Sequence, residues 1–340
     1  MVLTRRTFAL SVPALSVPAL ALPAISPARA QTAPLTVYNA QHASLTKEWG
    51  DGFTAETGIR LSIRNGSDTE LGNQIVQEGA GSPADVFLTE NSPAMALVGN
   101  AGLFAPVAPA TLALVEPFAQ PAGGKWVGIA ARSTVLAYDT RKLSEAQLPR
   151  SVMDLADPAW KGRWAASPSG ADFQAIVAAM LQLEGEPKTL AWLKAMKENS
   201  VAYRGNTTVL KAVNAGEIPA GLIYHYYWTG DQAKTGENSA NTKLHYFRNK
   251  DPGAFVSLSG GGVLASGKQQ GEAQRFLAWV AGPKGQAVLR DGTSYEYAVG
   301  KNQASSPKLV PLAELGAPTV DPATLDSRKT TALMTQAGLL

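Results

Sequence analysis

Residues 224–228, Tyr-His-Tyr-Tyr-Trp, follow the apolar residues 220–223 and carry the side chains with the clearest chemistry in the chain. Aromatic clusters are more often packed in a core than used to bind a ligand. The phenol oxygens of Tyr226 and Tyr227 could instead ligate a hard metal ion. Because successive residues of a strand point to opposite faces, both phenols can reach one ion only from a turn or from the first turn of a helix. We therefore expect this pair just beyond the end of a strand.

Three other polar segments occupy the same kind of position, directly after a predicted strand. They are His42 after residues 35–38, Glu90 after residues 84–88, and Ser169-Gly170-Ala171 after residues 163–166. In parallel sheets the carboxyl ends of the strands and the amino ends of the helices meet at one crevice, where ligands bind. We therefore expect these segments and the tyrosine pair to line one site. Taken alone, a histidine is more often structural, and a glutamate at a helix start is more often a solvated charge.

Together these side chains offer oxygen and nitrogen donors suited to a hard, highly charged cation. A tyrosine phenol has a pKa of roughly 10, so two phenolates need a strongly positive ion beside them at neutral pH. This favours a trivalent ion, above all ferric iron, over zinc or copper, which prefer nitrogen and sulfur ligands. With His42, Glu90 and the two tyrosines as ligands, an octahedral ion would keep two positions for an anion or water. Backbone N–H groups at residues 169–171, where a helix begins, could bind that anion, although capping is the commoner role of such a serine.

The rest of the chain alternates short apolar runs with amphipathic helical patterns. Helices are predicted around residues 45–53, 71–75, 173–181, 190–196, 276–280 and 333 and from residue 92, and strands at 35–38, 59–63, 84–88, 135–138, 163–166, 243–247 and 255–258. This alternation indicates an α/β fold, with parallel sheet covered by helices. Ser259-Gly260-Gly261-Gly262 is predicted to form a flexible turn. No long linker separates consecutive domains, so two lobes joined by short crossing strands fit best.

The first 30 residues have the features of an export signal. Thr4-Arg5-Arg6-Thr7-Phe8 precedes an apolar stretch interrupted by prolines, and Ala28-Arg29-Ala30 supplies a small-x-small cleavage pattern. We expect cleavage after Ala30. The paired arginines resemble a twin-arginine signal, with an ordinary secretory signal as the alternative.

Charge and cysteine content exclude several classes of function. The formal net charge is +3, but three arginines lie in the predicted leader, and without them basic and acidic residues balance at 27 each. A neutral mature chain argues against binding nucleic acids or anionic membranes, which need a basic surface. The chain has no cysteine, which excludes thiolate metal sites and thiol catalysis. Without disulfides, the exported chain must be held together by its core.

The same residues resemble the motif set of the bacterial periplasmic ferric-binding proteins. The motifs are His42 in Tyr-Asn-Ala-Gln-His, Glu90 in Ala-Asp-Val-Phe-Leu-Thr-Glu, Ser169-Gly170-Ala171, Asn206, and Tyr226-Tyr227-Trp228. Residues 217–220 and 251–254 are also similar to that family, and the likeness runs through essentially the whole mature chain. Each motif is weak alone, whereas five in the family's order and spacing are specific.

The resemblance implies a type II periplasmic binding protein fold of two lobes, each a mainly parallel sheet flanked by helices, with the ligand in the cleft between them. The first lobe would comprise residues 31–131 and about 257–305, and the second residues 132–256 and about 306–340. Such a protein carries ferric iron as cargo through the periplasm to the permease and ATPase of an ABC importer in the inner membrane. We expect a monomer that does not bind nucleic acid and is not an enzyme.

By the same resemblance, the ion would bridge the two lobes. The implied metal ligands are His42 and Glu90 from the first lobe and Tyr226 and Tyr227 from the second. The residues implied to hold a synergistic anion, phosphate in the best-known members, are Ser169, Gly170, Ala171 and Asn206. Closure around the ion would then be a hinge motion of the lobes.

One residue departs from the family pattern. Two positions before the paired tyrosines the family usually has an asparagine, whereas this chain has Tyr224, which removes an amide partner for the anion. Phosphate, carbonate, a small carboxylate or no anion at all therefore remain open. Arg132, near the expected crossing between lobes, could neutralise an anion, but we interpret it as a surface or hinge residue. We assign no ligand role to His225 or His245, while Tyr295 and Tyr297 could belong to the wall of the site.

Two other functions fit parts of the pattern. A binding protein for a polyamine, an oxyanion or a sugar would use the aromatic residues for stacking, but it does not require His42 and Glu90 on the opposite wall. A secreted metalloenzyme could use open coordination positions for oxidation or hydrolysis, yet the sequence contains no nucleophile elbow, phosphate loop or His-Glu-x-x-His motif. Ferric iron transport is therefore the preferred interpretation.

Overall fold

Strands and helices alternate through residues 33–340, which the computed structural model describes together with residues 1–3. One folded unit runs from Pro34 to Leu340. The predicted leader, with Arg5, Arg6 and the cleavage position after Ala30, lies outside the described residues except for its first three. Within the described residues, no helix combines the length and the apolar character needed to cross a lipid bilayer.

The order of the elements confirms the predicted α/β class. In the described part of the chain the strands are β1 (Leu35–Asn39), β2 (Leu61–Asn65), β3 (Val86–Leu88), β4 (Val127–Asp139), β5 (Trp164–Ala166), β6 (Ser200–Ala202), β7 (Ala220–Tyr224), β8 (Thr242–His245) and β9 (Val256–Val263). The helices are α1 (Ala43–Thr57), α2 (Asp68–Glu78), α3 (Ser92–Asn100), α4 (Pro109–Leu112), α5 (Ala171–Glu184), α6 (Glu186–Asn199), α7 (Asn206–Ala215), α8 (His225–Lys234), α9 (Gln270–Ala281), α10 (Pro283–Asp291) and α11 (Ser327–Gln336).

The strands form one mixed sheet in the order β2-β1-β3-β9-β4-β7-β5-β6, with β8 paired to β4. Strands β2, β1 and β3 are parallel at one end of the sheet, and β7, β5 and β6 are parallel at the other. Strand β4 pairs antiparallel with β9 from Val127 to Ser133 and with β7 from Thr134 to Tyr138. Strand β4 therefore belongs to both halves of the sheet.

Amphipathic helices cover the sheet and fix the ends of its strands. Helix α1 buries Leu45, Trp49 and Phe53, which are spaced one turn apart as the sequence predicts. Helix α2 begins with a capping box between Ser67 and Glu70, which satisfies the first backbone N–H groups of the helix. The main apolar core extends through both halves of the sheet, and two smaller clusters lie apart from it, one in each half.

The prediction of a flexible turn at residues 259–262 is wrong, because these residues form the buried interior of β9. Glycine is needed there for close packing. A Cβ atom on Gly261 would lie 2.8 Å from Cδ2 of Leu277, and one on Gly262 would lie 2.5 Å from Cε1 of Phe104. Neighbouring side chains thus pack directly against the backbone of β9, the strand between β3 and β4.

We predict that Gly262→Ala lowers the free energy of unfolding by about 1–3 kcal/mol, since the added methyl group overpacks the buried Phe104 ring. Urea unfolding measures this change. Gly271→Ala is the matched control, because a Cβ atom at Gly271, in α9, meets no atom within 4 Å. The control is expected to keep or slightly raise stability. Equal stability of the two variants would contradict the packing role of Gly262.

Candidate metal centre

His42 and Glu90 lie side by side because their strands end at the same edge of the sheet. Strands β1 and β3 are parallel, with Asn39 opposite Leu88, and the N–H of Ala40 donates to the carbonyl oxygen of Leu88 at 2.8 Å. His42 precedes α1, and Glu90 lies between β3 and α3. The two chain segments leave the sheet together, which brings His42 Nε2 to 2.9 Å from Glu90 Oε1.

The tyrosine pair comes from the other half of the sheet. Strand β7 ends at Tyr224 and helix α8 begins at His225, so Tyr226 and Tyr227 lie in the first turn of the helix, where the sequence analysis expects them. Their ring centroids are 4.3 Å apart. The His42 ring meets the Tyr226 ring edge-on, with centroids 4.9 Å apart. The structure therefore brings together the four side chains predicted as metal ligands.

Asp172, which the sequence analysis does not single out, accepts hydrogen bonds from both phenols. Its Oδ2 atom accepts from Tyr226 at 3.2 Å, from Tyr227 at 3.1 Å and from the Asn206 amide at 2.7 Å, and its Oδ1 atom accepts from the Asn91 amide at 3.0 Å. Asp172 is buried in the first turn of α5. An acidic residue in that position is ordinary in a helix, which is why its type and spacing do not reveal it.

The segment predicted to bind an anion, residues 169–171, directly precedes Asp172 in the chain. Ser169 is exposed, Gly170 and Ala171 are partly exposed, and α5 begins at Ala171. The Gly170 N–H already donates to the Ser167 carbonyl oxygen at 3.0 Å. Asn206, which is predicted to hold a separate anion, donates its amide N–H to the Asp172 carboxylate instead.

Tyr224, the residue that departs from the family pattern, belongs to the same network. It is fully buried, and its hydroxyl donates towards Oδ1 of Asn91 at 3.2 Å and towards the carbonyl oxygen of Asp172 at 3.3 Å. Asn91 Oδ1 also accepts from the Ser257 hydroxyl at 2.9 Å. Tyr224 thus supports the residues that hold the Asp172 carboxylate.

Arg132 is fully buried, so its interpretation as a surface residue is wrong. Burial is tolerated because the guanidinium forms an ion pair with Glu296, which is buried as well. Arg132 also donates to the Glu90 carbonyl oxygen and to the Ser259 hydroxyl, the latter at 2.6 Å, and its guanidinium lies 5.6 Å from the centroid of the Tyr226 ring. It therefore contacts two of the predicted metal ligands.

Glu296 is the second important residue that the sequence analysis does not single out. Its Oε1 atom lies 3.0 Å from Nδ1 of His42, and its Oε2 atom accepts from Gln41 Nε2 at 3.2 Å. The neighbouring Tyr297 is a packing residue whose hydroxyl donates to the Val310 carbonyl oxygen at 2.8 Å. A glutamate between two tyrosines was the available signal, but nothing in the sequence pairs it with residues so distant along the chain.

The electrostatics of the site favour a bound cation. Burial and the charges of Asp172 and Glu90 raise the pKa of both Tyr226 and Tyr227 above the usual value, so both phenols are protonated at neutral pH. Burial lowers the pKa of His42, but its contacts with Glu296 and Glu90 outweigh this and raise it to about 10. Burial raises the pKa of Glu296, whereas the charges of Arg132 and His42 bring it down to about 2. In the metal-free site, the phenols and the imidazole are therefore protonated beside the acidic side chains.

The two histidines without an assigned ligand role make structural contacts. His225 is buried, its Nδ1 accepts from the Ser133 N–H at 3.1 Å, and its Nε2 lies 2.8 Å from the Tyr295 carbonyl oxygen. Burial lowers the pKa of His225 to about 4, so it is neutral. In the described part of the chain no three His, Cys, Asp or Glu side chains are grouped as a metal site.

Comparison with known proteins identifies relatives whose names describe binding proteins. Residues 81–323 match the family described as bacterial extracellular solute-binding protein. The Fe(3+)-binding periplasmic protein of Serratia marcescens is 65% identical over 306 residues, covering 90% of each chain. The major ferric iron-binding protein of Neisseria meningitidis serogroup B is 38% identical over 318 residues, covering 93% of this chain and 96% of the relative.

The structure of iron-bound HitA from Pseudomonas aeruginosa superposes with a TM-score of 0.86 at 42% sequence identity, covering 91% of this chain and all of HitA. Similarity at this level confirms the two-lobed type II fold expected from the sequence. These relatives are named as binding proteins and not as enzymes. The chain therefore belongs to the bacterial extracellular solute-binding protein family and is a binding protein, similar to members that are named for ferric iron.

Proposed function

We propose that this protein binds ferric iron in the periplasm, with Tyr226, Tyr227, His42 and Glu90 as metal ligands. The observation that carries the proposal is the convergence of two phenols, one imidazole and one carboxylate from opposite halves of the sheet. Oxygen-rich donor sets suit hard ions. The names of the relatives, which state binding of Fe(3+) or ferric iron, support the same cargo.

Charge balance supports a trivalent ion. In the metal-free site the two phenols are protonated and His42 carries an additional proton. Ligation through two phenolates and a neutral imidazole releases these protons, one for each positive charge that a trivalent ion brings. If the same three protons left on binding a divalent ion, the net charge of the buried site would be more negative than before, at a cost in electrostatic energy.

We further propose that the carboxylate of Asp172 replaces the synergistic anion. It lies at the amino end of α5, where backbone N–H groups favour negative charge, and both phenol oxygens lie within hydrogen-bonding distance of its Oδ2 atom. Its contacts with Asn206 and Asn91 hold it in this position. An ion at the phenols would then also meet Asp172, and water would complete its octahedral coordination. Phosphate or carbonate held by Ser169, Gly170 and Ala171 would not be needed.

The division into lobes at residues 131/132 and 256/257 is part of the proposal. It is supported by strand β4, which pairs with β9 up to Ser133 and with β7 from Thr134, close to the first of these positions. Strand β9 begins at Val256, next to the second position. Helix α11 packs on α5 and α6, which agrees with assigning residues 306–340 to the second lobe. The ligands then come from both lobes, so an ion bound between them favours the closed form over an open one.

Delivery to the permease and ATPase of an ABC importer completes the proposed role. The protein would be exported through its leader, by the twin-arginine route, cleaved after Ala30, and would act as a monomer in the periplasm. The relative from Serratia marcescens, which is named as a periplasmic protein, supports this location.

We predict that the purified protein becomes orange to purple with ferric iron, because ferric phenolates absorb visible light. Tyr226→Phe combined with Tyr227→Phe removes both phenolates and is expected to abolish the colour and weaken binding by more than ~100-fold, more than the loss of a residue outside the coordination sphere costs. Visible absorption and competition with a chelator measure these changes.

Tyr203→Phe is the matched control, because the Tyr203 hydroxyl donates to Oε2 of Glu217, at 3.4 Å, and not to Asp172. It should keep both the colour and the affinity. A colourless wild-type protein in stoichiometric ferric iron, together with tight binding of a polyamine, sugar or oxyanion, would contradict the proposed cargo.

We predict that iron binding by the wild-type protein does not depend on phosphate or carbonate, because Asp172 supplies the negative charge. Asp172→Asn is expected to weaken binding by roughly 10–100-fold in buffer free of these anions, and added phosphate should restore part of the loss. Chelator competition in both buffers measures the effect. Asp291→Asn, which alters an exposed carboxylate paired with Arg290, is the control. Anion dependence in the wild-type protein would refute the role of Asp172.

A further inference from the structure

A buried ion pair lies behind the imidazole that faces the proposed metal site. Glu296 and Arg132 are both fully buried, whereas the side chains of His42 and Glu90 keep 26% and 21% of their exposure. We propose that Glu296 is a positioning residue that holds Nδ1 of His42 and thereby aims Nε2 at the bound ion. This inference rests on the proposed function, since it concerns one of the ligands of that site.

The geometry around the imidazole assigns a different carboxylate to each ring nitrogen. Nδ1 lies 3.0 Å from Oε1 of Glu296, and Nε2 lies 2.9 Å from Oε1 of Glu90. Histidine ligands in metal sites usually bind the ion through one nitrogen and donate the other N–H to a carboxylate, which fixes the tautomer and the ring orientation. Glu296 is placed for the second role, and Glu90 shares the metal side with Nε2.

Hydrogen bonds fix the position of the Glu296 carboxylate, so it can orient the His42 ring. Its Oε2 atom accepts hydrogen bonds from Arg132, Gln41 and Ser259, the last two both at 3.2 Å. Its Oε1 atom is buried, is in no hydrogen bond within the described residues, and lies 3.0 Å from Nδ1 of His42. A buried carboxylate oxygen without a hydrogen-bond partner is costly, and a proton on Nδ1 of His42 would satisfy it.

The backbone of His42 is fixed by the same cluster. The N–H of His42 donates to Oε1 of Gln41 at 2.7 Å, while Nε2 of Gln41 donates to Ser259 Oγ at 2.7 Å and to Glu296. Both the main chain and the ring of His42 are therefore tied to groups outside the coordination sphere. With an ionised carboxylate behind it, the imidazole is also a stronger donor to a metal ion.

A double-mutant cycle tests whether Glu296 acts through His42. Glu296→Gln in the full-length mature protein is expected to weaken ferric binding by about 10–100-fold, while the visible phenolate band remains. In a His42→Ala background the same substitution should change the affinity by less than about threefold, because the ring that Glu296 orients is absent. Equal losses in both backgrounds, or no loss with His42 present, would overturn the inference.

Failure of this inference is distinguishable from failure of the proposed function. A wild-type protein that binds no ferric iron refutes the function and the inference with it, whereas ferric binding that is equally tight in the wild-type protein and in Glu296→Gln refutes the inference alone. Glu296→Gln also leaves Arg132 without its charge partner, so folding of each variant is checked by its unfolding transition. A second measurement needs no substitution. In wild-type protein loaded with gallium(III), a diamagnetic trivalent ion, the nitrogen NMR signals of His42 should show a proton on Nδ1 and metal on Nε2. Metal on Nδ1, or a metal-free His42, would contradict the role of Glu296.

Discussion

The structure depends on the crowding of acidic oxygens in a buried cleft. The Asp172 and Glu90 carboxylates and the hydroxyls of Tyr226 and Tyr227 approach one another where little water is available. Like charges at such distances cannot all ionise unless a cation balances them. Without metal the balance comes from protons on the phenols and on His42. A hard trivalent ion would satisfy the same oxygens at once, which is the reason for proposing ferric iron over softer ions as the cargo.

The fold brings these groups together by ending parallel strands at one edge and by sharing one strand between the lobes. Strands β1 and β3 deliver His42 and Glu90, and strand β7 delivers the tyrosines. Arg132 lies on β4 just before that strand passes from one half of the sheet to the other, and it contacts groups from both. The glycines of β9, which pairs with β4, allow helices and loops to pack closely against the sheet. A single polar cluster thus links the hinge region to the site.

Residues that directly follow a predicted strand could be placed at the candidate site from the sequence. His42, Glu90 and the tyrosine pair each follow an apolar strand, and the rule that parallel strands end at one crevice predicts that they meet. Asp172 was missed because an acid in the first turn of a helix is common and its partners lie at Asn91, Asn206 and the tyrosines. Glu296 was missed because its contacts are long-range, 164 residues from Arg132 and 255 from Gln41. The glycine run was misassigned because glycine serves both flexible turns and close packing, and only tertiary contacts separate the two.

A crystal structure of the ferric protein, prepared without phosphate, carbonate or organic acids, tests the account most directly. The account predicts one ferric ion bound by the phenolates of Tyr226 and Tyr227, by Nε2 of His42 and by the carboxylates of Glu90 and Asp172, with water as the remaining ligand. An ion that is held through an external anion, with Asp172 turned away from it, or an ion bound elsewhere in the molecule, would contradict the central claim.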